Sequence, residues 1–282
     1  MTAKSSSRGV ALVAIAAASW GTWSLFLRPA GLPAAAASLL LFAVMGIVTL
    51  PFALREPRAR WDRELVALVV ANAACDAINV VTFFAAIAKT TVAIAVLTHY
   101  AAPIFVALAA PRVDGVVVRG ARAAALVALA GLAIVLEPWH DVAPDAVAGA
   151  ALGLASAVAY AGNVFVVGRL ATRIGPVRQM SYHSLVAAAA LAPIGACALA
   201  TVSAADAGLV AAGSATIGAA AGVAFAAGLA RIGSARAAVL AFAEPLVAVA
   251  VGALVWHEPL HPLAALGGAI VIAAGVRVAR RA

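Results

Sequence analysis

Charge is scarce in this sequence. Only 11% of its 282 residues are charged, against the roughly 25% that keeps a soluble domain wet. Hydrophobic residues make up 66% and the mean hydropathy is +1.09, so the chain cannot cover itself with polar groups. Its outer surface must meet lipid. Cysteine is scarce too: Cys75 and Cys197 both sit in apolar runs, where they read as small core residues rather than a disulfide or metal ligands. Catalytic signatures are missing: no H-E-x-x-H, no G-x-S-x-G, no aspartate pair at metal spacing and no Walker lysine. That excludes the common enzyme classes and calls for no cofactor and no metal. After Lys4 and Arg8 the first apolar run has no small-x-small exit, so it reads as a membrane span and not a cleavable signal.

What the sequence does have is long apolar runs. A helix crossing a ~30 Å hydrocarbon core needs about 20 apolar residues. Ten such runs are expected, over 9–27, 34–54, 65–88, 90–110, 120–136, 146–168, 179–205, 207–230, 237–256 and 262–276. Short connections leave no room for a soluble domain. The fold class is an all-α integral membrane protein of ten transmembrane helices.

The cations divide sharply between the two sides. With a cytoplasmic N-terminus, the inside holds Lys4, Arg8, Arg55, Arg58, Arg60, Arg63, Arg112, Arg119, Arg122, Arg169, Arg173, Arg178, Arg231, Arg236, Arg277, Arg280 and Arg281; only Arg28 and Lys89 fall outside. This asymmetry places both termini in the cytoplasm. The net charge of +8 thus reports topology in a lipid bilayer, and no nucleic-acid partner is expected.

The chain also repeats itself. "FFAAIAKTTVAIAVLTHYAAPIFVAL" (83–108) matches "VAFAAGLARIGSARAAVLAFAEPLVAVAVGAL" (223–254) at a constant offset of 142, aligning Phe83 with Phe225, Lys89 with Arg231 and Pro103 with Pro245. "GVALVAIAAASWGTWSLFLR" (9–28) resembles "GAALGLASAVAYAGNVFVVGR" (149–169), pairing Trp20 with Tyr160. Two five-span repeats, 9–137 and 146–281, follow. Five is odd, so the second copy must be inverted in the membrane, a construction many secondary transporters use.

Ten spans in a five-plus-five arrangement, a first helix reading G-x-A-L…W-G, "AAPIFVALAA", and "AEPLVAVAVGALVWHEPL" together resemble the EamA-type members of the drug/metabolite transporter superfamily. The prolines of spans four and nine and Glu258 are the most recognisable features. Within the family the likeness is to the YddG-type aromatic amino acid exporters. The sequence departs from the family pattern after span four, where "PRVDGVVVRG" stands in place of "LGERLT", which leaves the role of Asp114 open. The resemblance implies a drug/metabolite-transporter fold and an inner-membrane carrier that exports small metabolites by alternating access without nucleotide hydrolysis.

The residues themselves point to a site. A charged group at mid-membrane costs about 2.5–3.5 kcal/mol on insertion scales and tends to face protein or water. In span three, Asn72, Asp76, Asn79 and Phe83 fall at i, i+4, i+7 and i+11, on one stripe. Trp20 (with Ser19 and Trp23), His99 with Thr98 and Tyr100, Tyr160 with Asn163, Tyr182 with His183, and Phe242 with Glu244 add polar and aromatic groups on other spans. Trp20, Asp76, Asn79, Phe83, His99, Tyr100, Tyr160, Asn163, Phe242 and Glu244 are the candidate substrate-binding residues. Each also has a plainer reading: Asp76 as a protonated interhelical contact, the asparagines as interhelical glue, His99 as a neutral core histidine, Trp23 as an interfacial anchor, Glu244 as support for a kink. His257, Glu258 and His261 fall in an outer loop and require no function.

Pro103 and Pro245 occupy matching positions and each permits a bend; they are the candidate gating hinges. The pairs Gly149/Gly153 and Gly218/Gly222 allow close helix approach, either as sliding contacts or as static packing. Aromatics mixed with acids and amides suit a partly apolar amine, hence amino acids, aromatic ones included. No cluster of cavity arginines or lysines favours a phosphate-rich solute. Export of cationic drugs or other metabolites, or a scaffold that transports nothing, are the alternatives. Ten spans can enclose a pathway in one chain, so a monomer suffices.

Overall fold

The computed structural model describes residues 3–139, 145–259 and 262–280, and among these there is no β-strand. His261 and Arg281 lie outside the described residues. Among the described residues, nine helical stretches are long and apolar enough to cross a membrane: Ser7–Ala30, Ala34–Ala53, Arg63–Lys89, Val92–Val113, Ala146–Leu170, Pro176–Leu199, Ala204–Ile232, Ser234–Val255 and Leu263–Arg280. A shorter apolar helix, Ala121–Leu136, stands where the fifth was expected. In chain order these are segments one to ten. The largest departure from the sequence-based bounds is at segment seven, expected to reach 205 but ending at Leu199. Ser203 caps the next helix there, its hydroxyl accepting the Asp206 N–H at 3.1 Å. That short polar cap is invisible to a search for apolar runs.

Three segments are interrupted. Segment one turns at Gly21–Trp23 between helices Ala3–Trp20 and Ser24–Ala30. Segment four divides into Val92–His99 and Ala102–Val113, and segment nine into Ser234–Leu240 and Ala243–Val255. A proline ring clashes with the carbonyl four residues back: His99 for Pro103, Ala241 for Pro245. The first halves stop at His99 and Leu240, at or just before those positions. Segment eight runs through a π turn, Ser214–Ala220.

Segments pair along their lengths: two with seven, three with six, five with ten, one with eight, while segment four lies against both six and nine. Glycines set the closest approaches. At Gly149 and Gly153 of segment six a Cβ would collide with Thr90 and Thr98, and at Gly222 with Met180. Apolar clusters fill the remaining space, one of them joining Leu39, Phe42 and Met45 to Met180, Ala187 and Leu191. Outward-facing Ile15, Ile47, Phe52, Val70, Ile78, Leu126, Val158, Ile194 and Ile272 are exposed, the surface a bilayer would cover.

The ends of the bundle differ in chemistry. At the arginine-rich end, Arg178 donates to the carbonyls of Ala53 at 2.8 Å, Glu56 at 2.7 Å, and Pro57. Arg173 bridges Asp62 at 2.5 Å and Glu64 at 2.9 Å. Asp62 also caps segment three, accepting the Leu65 N–H at 2.8 Å; that bond, with Arg173, holds its carboxyl below the ordinary value. Asp114 is no longer unexplained: it accepts the Ser234 hydroxyl and ties the loop after segment four to the start of segment nine. At the opposite end both cations are paired, Arg28 with Glu258 and Lys89 with Asp145 at 3.3 Å. Arg28 also lies over the Trp256 ring, 5.4 Å from its centroid.

Candidate functional site

Segment three presents its stripe to segments four, six and seven. Asp76 is the centre of it. One carboxylate oxygen accepts from Asn163 Nδ2 at 2.5 Å, and the other lies 2.9 Å from His183 Nε2. Asn163 in turn accepts from Asn72 Nδ2, and Asn72 accepts from Gln179 Nε2 at 2.9 Å. The Gln179 backbone carbonyl lies 2.9 Å from His183 Nδ1. The bonds therefore close into a ring through three segments: Gln179, Asn72, Asn163, Asp76, His183 and back to Gln179. Every amide donor in it points along the chain toward the carboxylate, an arrangement in which successive bonds polarise one another. Asn72, Gln179 and His183 are buried at 0%, 3% and 2% exposure, whereas the Asp76 side chain retains 20%. Asp76 and Asn163 are the members of the ring that are not fully buried.

One turn further along the stripe, the fully buried Ser156 of segment six donates to Asn79 Oδ1 at 2.6 Å and accepts from His99 Nδ1 at 2.8 Å. Because the serine proton is spent on Asn79, His99 must supply the other one and carries its hydrogen on Nδ1. His99 then anchors an aromatic group. Phe83 lies 4.8 Å from it, Tyr100 5.1 Å and Tyr160 5.5 Å between ring centroids, and Tyr100 stacks on Phe242 at 5.5 Å. The hydroxyls of Tyr100 and Tyr160 are buried without a hydrogen-bond partner. Such orphans cost about 1–3 kcal/mol each, and Glu244 lies within electrostatic reach of both. Tyr160 senses Asp76 as well, so it links the ring to Glu244.

Nine of the ten residues singled out from the sequence thus fall into two adjoining groups: the ring with Asp76 and Asn163, and the aromatic set with Asn79, Phe83, His99, Tyr100, Tyr160, Phe242 and Glu244. Phe242 contributes from the core, at 1% exposure. Trp20 packs 5.1 Å from Phe225, against an apolar cluster that Tyr160 also joins. Gln179, His183 and Ser156 carry as much of the hydrogen bonding as the residues named first. The signal for the first two was present: at i and i+4 they share a face of segment seven. Their neighbour Tyr182 points elsewhere, stacked on Trp61 at 5.5 Å. Two adjoining clefts of about 300 and 530 Å³ open beside Trp61, and no ring residue lines them. In this conformation the central polar groups bond to one another.

Comparison with known proteins completes the picture. Residues 147–279 match the EamA-like transporter family. An "Uncharacterized transporter" of Archaeoglobus fulgidus is 31% identical over 97% of this chain and 96% of its own. A protein of known crystal structure superposes with a TM-score of 0.79 at 20% identity, covering 96% of both chains, a likeness of fold. With its apolar helices and the polar ring between them, the chain belongs to the EamA-like transporter family of the drug/metabolite transporter superfamily and is a multi-pass membrane transporter.

Proposed function

We propose that the protein exports small amphipathic metabolites, amino acids foremost and aromatic ones among them, by alternating access through the site around Asp76. The observation that carries this reading is the juxtaposition of two carboxylates, Asp76 and Glu244, with two unpartnered buried tyrosine hydroxyls and a cluster of aromatic rings. An ammonium group finds carboxylates, and an aromatic or aliphatic side chain finds Phe83, Tyr100 and Tyr160. A solute carboxylate finds the tyrosine hydroxyls, which can donate to it. Bringing these partners supplies the bonds the orphaned hydroxyls lack. The affinity for aromatic amino acids suggested by the YddG-type resemblance is part of this proposal.

Inverted five-helix repeats supply the machinery. Adding five to each segment number turns the one–eight pair into six–three and leaves two–seven, four–nine and five–ten unchanged, so the pairing has the symmetry that two inverted repeats of five spans would impose. The interruptions ahead of Pro103 and Pro245 fall at matching places, and the Tyr100–Phe242 stack joins repeat-equivalent residues. Bending at these two breaks opens the site first to one side and then to the other. The arginine-rich end faces the cytoplasm, with both termini there, in the plasma (inner) membrane, and one chain encloses the pathway.

The experiment is flux of a panel of amino acids and cationic drugs through the purified chain in proteoliposomes. Saturable flux of aromatic amino acids is expected. Movement of cationic drugs alone would replace the substrate class, and no flux of any solute would leave the scaffold reading.

A further inference from the structure

The ring around Asp76 also holds a place for one proton. His183 Nδ1 faces the Gln179 backbone carbonyl at 2.9 Å. A carbonyl only accepts, so Nδ1 carries a hydrogen. The other nitrogen, Nε2, lies 2.9 Å from Asp76 Oδ2. Without a proton between them, that contact would set a lone pair against a carboxylate oxygen. It therefore holds one proton, written either as imidazolium with carboxylate or as imidazole with carboxylic acid. Both forms have zero net charge. The groups facing the pair are Asn163 and Tyr160 from segment six, Gln179 beside His183 on segment seven, Phe42 edge-on to His183 from segment two at 6.4 Å, and Cys75 next to Asp76. None of them is a second carboxylate, a lysine or an arginine; Glu244 lies within electrostatic reach of their neighbour Tyr160 and of Tyr100.

We propose that the Asp76–His183 pair is the binding site of a proton exchanged, one for one, against an exported solute bearing an ammonium group. The proposal rests on the transport reading above. As the ammonium approaches, the proton leaves the Nε2–Oδ2 contact for water on the side from which the solute entered. Asp76 is left ionised, and His183 is neutral with its Nδ1 hydrogen still on Gln179. The ammonium then occupies the proton's place beside the carboxylate. Net charge at the ring is zero before and after. The vacated ring, with ionised Asp76 and neutral His183, is the form that carries an uncompensated negative charge in a medium that penalises it. Reorientation is confined to the proton-loaded and solute-loaded forms. That confinement makes the movement an exchange. His183 acts as the positioning residue, holding the proton on the oxygen not already taken by Asn163.

Two measurements on the full chain test this. The first needs no solute: proton uptake by the purified protein between about pH 9 and about pH 5, compared with Asp76→Asn. The asparagine preserves the shape, its oxygen accepting from Asn163 and its NH₂ donating to Nε2, so a loss of one bound proton is expected. Equal uptake by both proteins would overturn the proton site. The second follows lumenal pH by dye while wild-type vesicles release a loaded amino acid. One proton entering per solute leaving is expected, and solute release with no proton movement would overturn the exchange. If no solute of the panel moves, the transport reading and the exchange fall together, while proton uptake still decides the site.

Discussion

Segments three and six, and segments one and eight, are two long helix pairs of one bundle with opposite interiors. The first interface is threaded with Asn72, Asp76, Asn79, Ser156 and Asn163, joined by hydrogen bonds. The second is a zipper of small and apolar groups: Val13 and Ala16 against Phe225 and Leu229, with Gly9 and Gly228 in backbone contact. An apolar zipper in lipid has one good arrangement, held by close packing. A polar interface can exchange its internal bonds for water or a solute at little net cost. The difference assigns the static part of the bundle to one pair and the exchangeable part to the other.

The sharpest way to break this contrast is to disrupt the zipper. A side chain at Gly228 would meet Val13 Cγ2 at 2.7 Å, the Gly9 carbonyl at 2.8 Å and Leu12 Cβ at 3.0 Å already at its Cβ. Gly228→Leu should destabilise by about 1–3 kcal/mol or more, read as a drop in Tm in detergent and a loss of folded protein. An unchanged Tm would show that the pair is not rigid. Asp76→Asn should do the reverse, leaving Tm near wild type while flux falls about tenfold or more; full flux would remove the polar interface from the transport path. Pro103→Ala and Pro245→Ala, between the two interfaces, should each slow flux severalfold and shift the accessibility of the site toward one face. Unaltered accessibility in both would end the hinge assignment.

Smaller effects refine the picture. Tyr160→Phe removes a buried hydroxyl without a hydrogen-bond partner, so the empty protein should be no less stable, by up to about 1 kcal/mol more so, while the KM for amino acids rises. A stability loss would mean that the hydroxyl has a partner. Arg173→Ala acts at the arginine-rich end of the segment three and six pair, where Arg173 bridges Asp62 and Glu64. Asp62 is held below its ordinary value by the Leu65 N–H and by Arg173, so its contribution is present at neutral pH and fades as pH falls through that lowered value. The Tm difference between Arg173→Ala and wild type should be small at pH 7 and vanish in acid; a difference that grew in acid would contradict the pairing.

Much of this was legible in the sequence, and the reason is lipid. A bilayer requires about 20 apolar residues per crossing, so the runs at Ala34–Ala53 and Arg63–Lys89 were found to within two residues. The breaks at His99 and Leu240 followed from proline geometry. The stripe from Asn72 to Phe83 followed from helical periodicity, because polar groups at that depth must find protein. What periodicity could not supply was the partner. Nothing in the spacing of Asp76 says that segment seven, a hundred residues on, brings Gln179 and His183 to it, and nothing in the sequence around Trp20 says that its ring packs on Phe225. Which helix meets which is decided by small residues such as Gly153 and Gly222, whose contacts appear only in three dimensions.

The most direct measurement is thiol accessibility at the stripe. With Cys75 and Cys197 replaced, Asn79→Cys in the reconstituted chain would be exposed to a membrane-impermeant thiol reagent applied from either face. Labelling from both faces, slowed by a transported amino acid, is the result expected if the site opens alternately. Labelling from neither face, or from one alone whatever solute is present, would contradict it.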